Sequence, residues 1–225
     1  MPVAETSRVP DTEAVILALA QAVEMRDQHT AGHCHRLALY SVALGRALGL
    51  TQEQLGALYR GGYLHDLGKV ALPDSILFKP ASLNEQEWET MRRHPEAGEA
   101  ICRLLPSLAP VLPIIRSHHE RWDGSGYPDG LRGRSIPLLA RILQLADIYD
   151  ALTSRRPYKD AYSREEALDI MQEETDRGWR DPELMDLFLK LRHGVLADLG
   201  ERLREAVLDG AGMEQSLAEL QGHLS

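Results

Sequence analysis

Apolar residues recur along this chain at intervals of three and four, the period of helices that bury one face. Val15, Ile16, Leu19 and Val23 form the first such stripe, which Asp11 or Thr12 can cap and which fades near Asp27. A second helix is predicted from near Thr30, carrying Leu37, Tyr40, Leu44 and Leu48, with Gly49 placed to end it. Thr51 and Gln54 make a capping-box pair that opens a third helix through Leu55, Leu58 and Leu64. That helix runs into His65-Asp66-Leu67-Gly68-Lys69. Ser82 with Glu85 reads as another capping box, and Pro95 as the first turn of the next helix, with His94 just before it. Pro106, Pro110 and Pro113 mark a loop and a restart, leaving His118 and His119 near a helix end. Between Asp123 and Gly133, four glycines and a proline exclude a helix and predict a long loop. Helix resumes near Pro137 with Leu139, Ile142, Leu143 and Ala146, Ser163 with Glu166 caps another, and Pro182 starts a later one. Past about His193 the stripe (Val195, Leu199, Leu203, Val207) is broken by Gly210, Gly212 and Gly222.

Composition sharpens this into a fold class. The 225 residues include 36 Leu and 24 Ala but only 9 Val and 9 Ile, which points to an all-α protein and excludes an all-β one. The expected organisation is a short segment over 1–11, a single helical bundle over 12–192 and a helical C-terminal appendage over 193–225, for which packing on the domain, a homodimer contact and fraying are the open alternatives.

Charge changes the picture of partners. Lys and Arg number 25 against 34 Asp and Glu, a net charge of −9, so a general binder of nucleic-acid polymers is not expected. An anionic ligand would need a local cationic site, from metal ions or an Arg/Lys cluster. Cys34 and Cys102 make neither a disulfide framework nor a CxxC motif, and Cys34 reads as a small packing residue. No signal-peptide pattern and no apolar run of membrane-spanning length is present, so the expected location is cytoplasmic.

The candidate chemistry lies in the histidines. Seven of the nine fall between His29 and His119. His33, His65-Asp66, His94, His118-His119 and Asp147 sit on predicted helices or at their ends, where one end of a bundle could gather them into metal sites. Neighbours on a helix point about 100° apart, so an adjacent pair can serve two metals, or a metal and a substrate. His29 and His35 read more readily as structural residues, and His193 and His223 carry no assignment.

The ordered motifs then resemble a known family. They are His65-Asp66-x-Gly68-Lys69, Pro73-Asp74-x-Ile76-Leu77-x-Lys79-Pro80, His118-His119-Glu120-Arg121, Gly124-Ser125-Gly126-Tyr127-Pro128, Ala146-Asp147-x-x-Asp150-Ala151-Leu152 and Arg156-Pro157-Tyr158-Lys159. Over residues 12–192 the chain resembles the HD-GYP branch of the HD metal-dependent phosphohydrolases. The resemblance implies an all-helical HD-type domain that hydrolyses the bacterial second messenger cyclic di-GMP to linear pGpG, with GMP as a further product. It implies that His33, His65, Asp66 and Asp147 hold one metal and Asp66, His94, His118 and His119 a second, with Asp66 bridging. It also implies that Lys69 sits beside the phosphate and that Tyr127, Asp150, Arg156 and Lys159 contact the nucleotide.

The residue types suit that chemistry. Two divalent metals can share a water as a bridging hydroxide, while Lys69 offsets charge on the phosphate oxygens. Mixed imidazole and carboxylate ligands suit iron or manganese, with zinc and nickel as alternatives. Arg156 and Lys159 supply positive charge that the chain as a whole lacks. Some family members carry a Glu four residues before the first ligand histidine, where it helps hold a third metal. His29 stands there, so a dinuclear site is expected and a third metal is not. Alternative readings are a hydrolase of another cyclic dinucleotide, such as cyclic GMP-AMP, and a catalytically weak binding module that signals through a protein partner.

Overall fold

Every regular element of the computed structural model, which describes residues 12–26, 32–154 and 160–192, is helical. The helices are α1 (Thr12–Arg26), α2 (His33–Ala47), α3 (Gln52–Leu64), α4 (Asp74–Leu77), α5 (Glu85–Met91), α6 (His94–Cys102), α7 (Leu112–Ser117), α8 (Leu138–Thr153), α9 (Arg164–Asp176) and α10 (Pro182–Leu191). A 3₁₀ turn over Leu67–Ala71 follows α3. Residues 193–225, including the expected appendage, lie outside the described residues, as does His29.

Local signals set most boundaries. The Thr51/Gln54 and Ser163/Glu166 capping boxes are both formed, each satisfying otherwise orphaned amides at a helix start. Gly32 and Gly49 adopt left-handed φ angles of 72° and 71° at the two ends of α2, a backbone conformation that costs glycine little. Gly32 therefore starts α2 at His33 rather than near Thr30. A second correction concerns α5. Its capping box is Asn84 with Glu87, two residues later than the Ser82/Glu85 pair, and Glu87 is held there by Lys79 at 2.6 Å. A third concerns α1: Val15 and Leu19 of the expected apolar face are 43% and 55% exposed, while Ala20 is buried. Among its described side chains, Ile16, Leu17, Ala20 and Val23 join the core, so the buried face is turned away from the Val15/Leu19 side that the periodicity predicts.

The core explains how the site is held. α2 packs against α3 and α8, while α6 packs against α7 and the 3₁₀ turn. Leu37, Leu44, Leu58, Leu64, Ile142 and Leu143 are wholly buried between the first three of these helices and their neighbours. Each such side chain contributes about 1.5–3 kcal/mol relative to exposure. The helix ends that carry the histidines are therefore fixed by a close-packed interior. No helix among the described residues is long and apolar enough to cross a membrane.

Candidate metal centre

Five parts of the fold deliver the candidate ligands. His33 opens α2, His65 caps α3 with Asp66 directly after it, His94 opens α6, His118 and His119 follow α7, and Asp147 lies within α8. Their donor atoms fall into two groups. Asp66, His94, His118 and His119 form one, and His33, His65 and Asp147 form the other, with the ligand atoms of each group all within 4.8 Å of one another. Asp66 lies between the groups. Its Oδ1 is 3.2 Å from His94 Nε2 and 3.8 Å from His118 Nε2, and its Oδ2 is 3.3 Å from His65 Nε2. Across the second group, His33 Nε2 is 3.4 Å from Asp147 Oδ1.

The outer nitrogens decide what the inner ones can do. Nδ1–H of His65, His94 and His118 donates to the carbonyls of Gly62, Met91 and Ile115, at 3.0, 2.8 and 2.7 Å. A carbonyl can only accept, so Nδ1 of each ring carries a proton, and in the neutral form of the ring the lone pair lies on Nε2. With both rings neutral, the 3.4 Å contact between Nε2 of His94 and Nε2 of His118 has no proton to share. Asp66 Oδ1, buried beside them, also accepts no hydrogen bond. Lone pairs and a carboxylate oxygen thus converge on one point, an arrangement that repels itself unless a cation stands there. The donor set fits a divalent metal.

The protonation of the site follows its surroundings. Burial opposes ionisation of Asp66, yet Lys69 Nζ at 2.6 Å and His65 hold its carboxyl well below the usual carboxylate range. Burial pushes His118 down, and burial with His118 and His94 pushes His119 down further, keeping both rings neutral and ready to ligate.

Asp150, an expected nucleotide contact, has protein partners of its own. Asp150 is 2% exposed, and both of its oxygens are engaged within the protein. It accepts from His33 Nδ1–H at 2.7 Å and from Arg36 at 2.6 and 3.0 Å. It thus orients His33 from behind. Tyr127 remains half-buried and stacks on His119, with ring centroids 4.8 Å apart and planes 27° apart. Arg156 and Lys159 lie outside the described residues.

Two buried polar residues escape a sequence reading. Glu120 is fully buried, and its carboxylate accepts from the amides of Asp129 and Leu131 at 2.7 and 3.0 Å. Gln144 Nε2 donates to the carbonyls of His118 and Glu120. Together they fasten the Gly-rich loop to the strand of chain that carries His118 and His119. A Cβ at Gly126 would lie 2.2 Å from the Arg121 amide, so only glycine allows this approach. A Cβ at Gly68 would lie 1.9 Å from the His94 carbonyl, so the His65-Asp66 turn can meet α6 only through glycine. The adjacency of Glu120 to His118-His119 is the only signal in the sequence for its role.

Comparison with known proteins agrees with this geometry. The profile of a family described as HD domain matches residues 18–184. A 3'3'-cGAMP-specific phosphodiesterase of Vibrio cholerae is 40% identical over 181 residues, covering 80% of this chain and 34% of the relative. The cyclic di-GMP phosphodiesterase response regulator RpfG of Xanthomonas campestris is 41% identical over 192 residues, covering 84% of this chain and 50% of the relative. This chain thus spans half or less of the length of these two relatives. A solved cyclic GMP-AMP-specific phosphodiesterase from Vibrio cholerae shares the fold, with a TM-score of 0.63 at 24% identity, over 85% of this chain and 53% of that one.

Proposed function

We propose, on the premise that this chain belongs to the HD domain family, that it is a metal-dependent phosphodiesterase of the HD-GYP branch acting on cyclic di-GMP. The reading rests on one observation above all: imidazole nitrogens and an Asp66 oxygen that accepts no hydrogen bond converge in two groups with metal-ligand spacing. His33, His65 and Asp147 would hold one divalent ion and His94, His118 and His119 a second, with Asp66 shared between them. Iron or manganese suits these donors. When bound, such ions supply Lewis-acid stabilisation of phosphoryl oxygens and lower the pKa of water.

The chain's own residues supply the rest. Hydrolysis adds a water oxygen to phosphorus, breaks one P–O bond to ribose and returns a proton to the leaving oxygen, giving linear pGpG. A second such cleavage gives GMP. The Lys69 ammonium, beside Asp66, stands where it can offset charge on a phosphate oxygen. Asp150 and the Gly62, Met91 and Ile115 carbonyls keep the imidazoles in a ligating orientation. Tyr127, on a loop fastened by Glu120, offers a ring face and a hydroxyl to the nucleotide. Arg156 and Lys159 are proposed as further nucleotide contacts.

A second substrate has a specific basis, because a relative at 40% identity is named as specific for 3'3'-cGAMP. The test is anaerobic purification, loading with Fe(II) or Mn(II), and chromatography of products from cyclic di-GMP, cyclic GMP-AMP and a linear diester. Metal-dependent release of pGpG or GMP from cyclic di-GMP is expected. Turnover of cyclic GMP-AMP alone replaces the substrate, and no product at full metal occupancy overturns the enzymatic reading.

A further inference from the structure

A cyclic dinucleotide has two bases and two phosphates, and only one phosphate can lie at the metal ligands. The other half must rest elsewhere on the protein. α5 and its end present a suitable surface next to Tyr127. Trp88 and Arg92 stand one helical turn apart, joined by the Arg92 amide to the Trp88 carbonyl at 2.9 Å. Trp88 is 44% exposed and Arg92 is exposed. The Arg92 guanidinium lies 5.8 Å from the centroid of the Tyr127 ring and 6.0 Å from that of Trp88. The sequence His119, Tyr127, Arg92, Trp88 is therefore a continuous row of flat groups leading outward from the metal ligands.

The charge environment of Arg92 adds to this. Arg103, Arg116, Arg141 and Arg180 are each neutralised by a carboxylate. Arg92 touches two rings and has no carboxylate partner among the described residues. In a chain of net charge −9, such a cation beside the site is a place for an anion. A planar guanidinium flanked by an exposed indole can also stack on a purine, since every base has a ring face.

We infer that Arg92 and Trp88 form a nucleotide-binding ledge that holds the half of the cyclic dinucleotide not being cleaved. The inference rests on the phosphodiesterase reading and names two binding residues for that same site. Truncating either side chain removes contacts made by the dinucleotide and missing from a small diester.

The test compares cyclic di-GMP with bis(p-nitrophenyl) phosphate on the Mn(II)-loaded full chain, for wild type, Arg92→Ala, Arg92→Lys, Trp88→Ala and Trp88→Phe. Bound metal is measured in each. For the alanine variants, the ratio of kcat/KM for cyclic di-GMP to that for the small diester is expected to fall about tenfold, chiefly through KM. Metal content should match wild type, and Trp88→Phe should recover most of the loss. A ratio within about twofold of wild type in both alanine variants overturns the ledge. So does loss of metal in step with activity, which would make these residues supports of His94 instead. A wild-type chain that cleaves the small diester but neither cleaves nor binds cyclic di-GMP fails at the earlier step, the substrate reading itself, and the ledge falls with it.

Discussion

Asp66 sends one oxygen toward each ligand group and has a neighbour in Lys69, so its removal affects more than a single bond. Asp66→Ala is expected to lower bound metal from about two ions per chain to below one and to abolish turnover, because in the proposed site a shared carboxylate would serve both ions. Metal analysis of the purified variant checks this, and retention of both ions with full activity would refute the sharing. Gly68→Ala places a methyl 1.9 Å from the His94 carbonyl, a backbone atom with no freedom to yield. That variant should lose about 1–3 kcal/mol in urea unfolding. It should also bind less metal, because His94 must move. At this scale the sequence is only partly legible. Asp147 and Asp150 lie three residues apart on one helix, and nothing local says which faces the ligand groups. That is decided by Arg36 and His33 on α2, whose approach to α8 is a tertiary event.

Elements were legible where their signals are local. The Thr51/Gln54 and Ser163/Glu166 boxes could be read because a cap spans four residues. Ser82/Glu85 and Asn84/Glu87 both fit the same pattern, and the actual choice is made with Lys79, outside the four-residue window. The Gly-rich loop shows how elements are joined by charge. Arg116 of α7 pairs with Asp129 of the loop and Glu99 of α6, each at 2.7 Å. Arg116 holds the Asp129 carboxyl below its usual range, and despite partial burial Arg116 and Arg103 do the same for Glu99. Depressed carboxylates add stability above their unfolded pKa of about 4 and lose it as pH falls through the folded value. Wild-type stability should therefore drop below about pH 4, and Arg116→Ala should flatten part of that slope. The groups are partly exposed, so the effect near neutral pH should be only about 1 kcal/mol. Urea midpoints measured from acid to neutral pH check both statements.

For the molecule as a whole, the candidate ligands are spread from His33 to Asp147, so a bound ion would tie together segments distant in sequence. Metal should therefore stabilise the entire fold. At a free concentration one hundred times its dissociation constant, a single ion adds about 2.7 kcal/mol. For a domain of this size that is a rise in Tm of roughly 5–10 °C. Thermal scans with Mn(II) and with a chelator should differ by that order, and the difference should vanish in Asp66→Ala. The all-helical class was legible from composition alone, because Leu and Ala outnumber β-branched residues so heavily. The sequence could not reveal that the loop between Asp123 and Gly133 is anchored from within, since a buried carboxylate and a surface one are the same letter.

That anchoring has a consequence for how the chain can change. Surface loops ordinarily absorb insertions, because their backbone groups face water. Here the amides of Asp129 and Leu131 are spaced to meet the two oxygens of Glu120. One extra residue between them would turn an amide away and leave a carboxylate oxygen unsatisfied in the interior. The loop's length is thus as constrained as a core side chain's volume, and variation in this segment is confined to side chains that point outward.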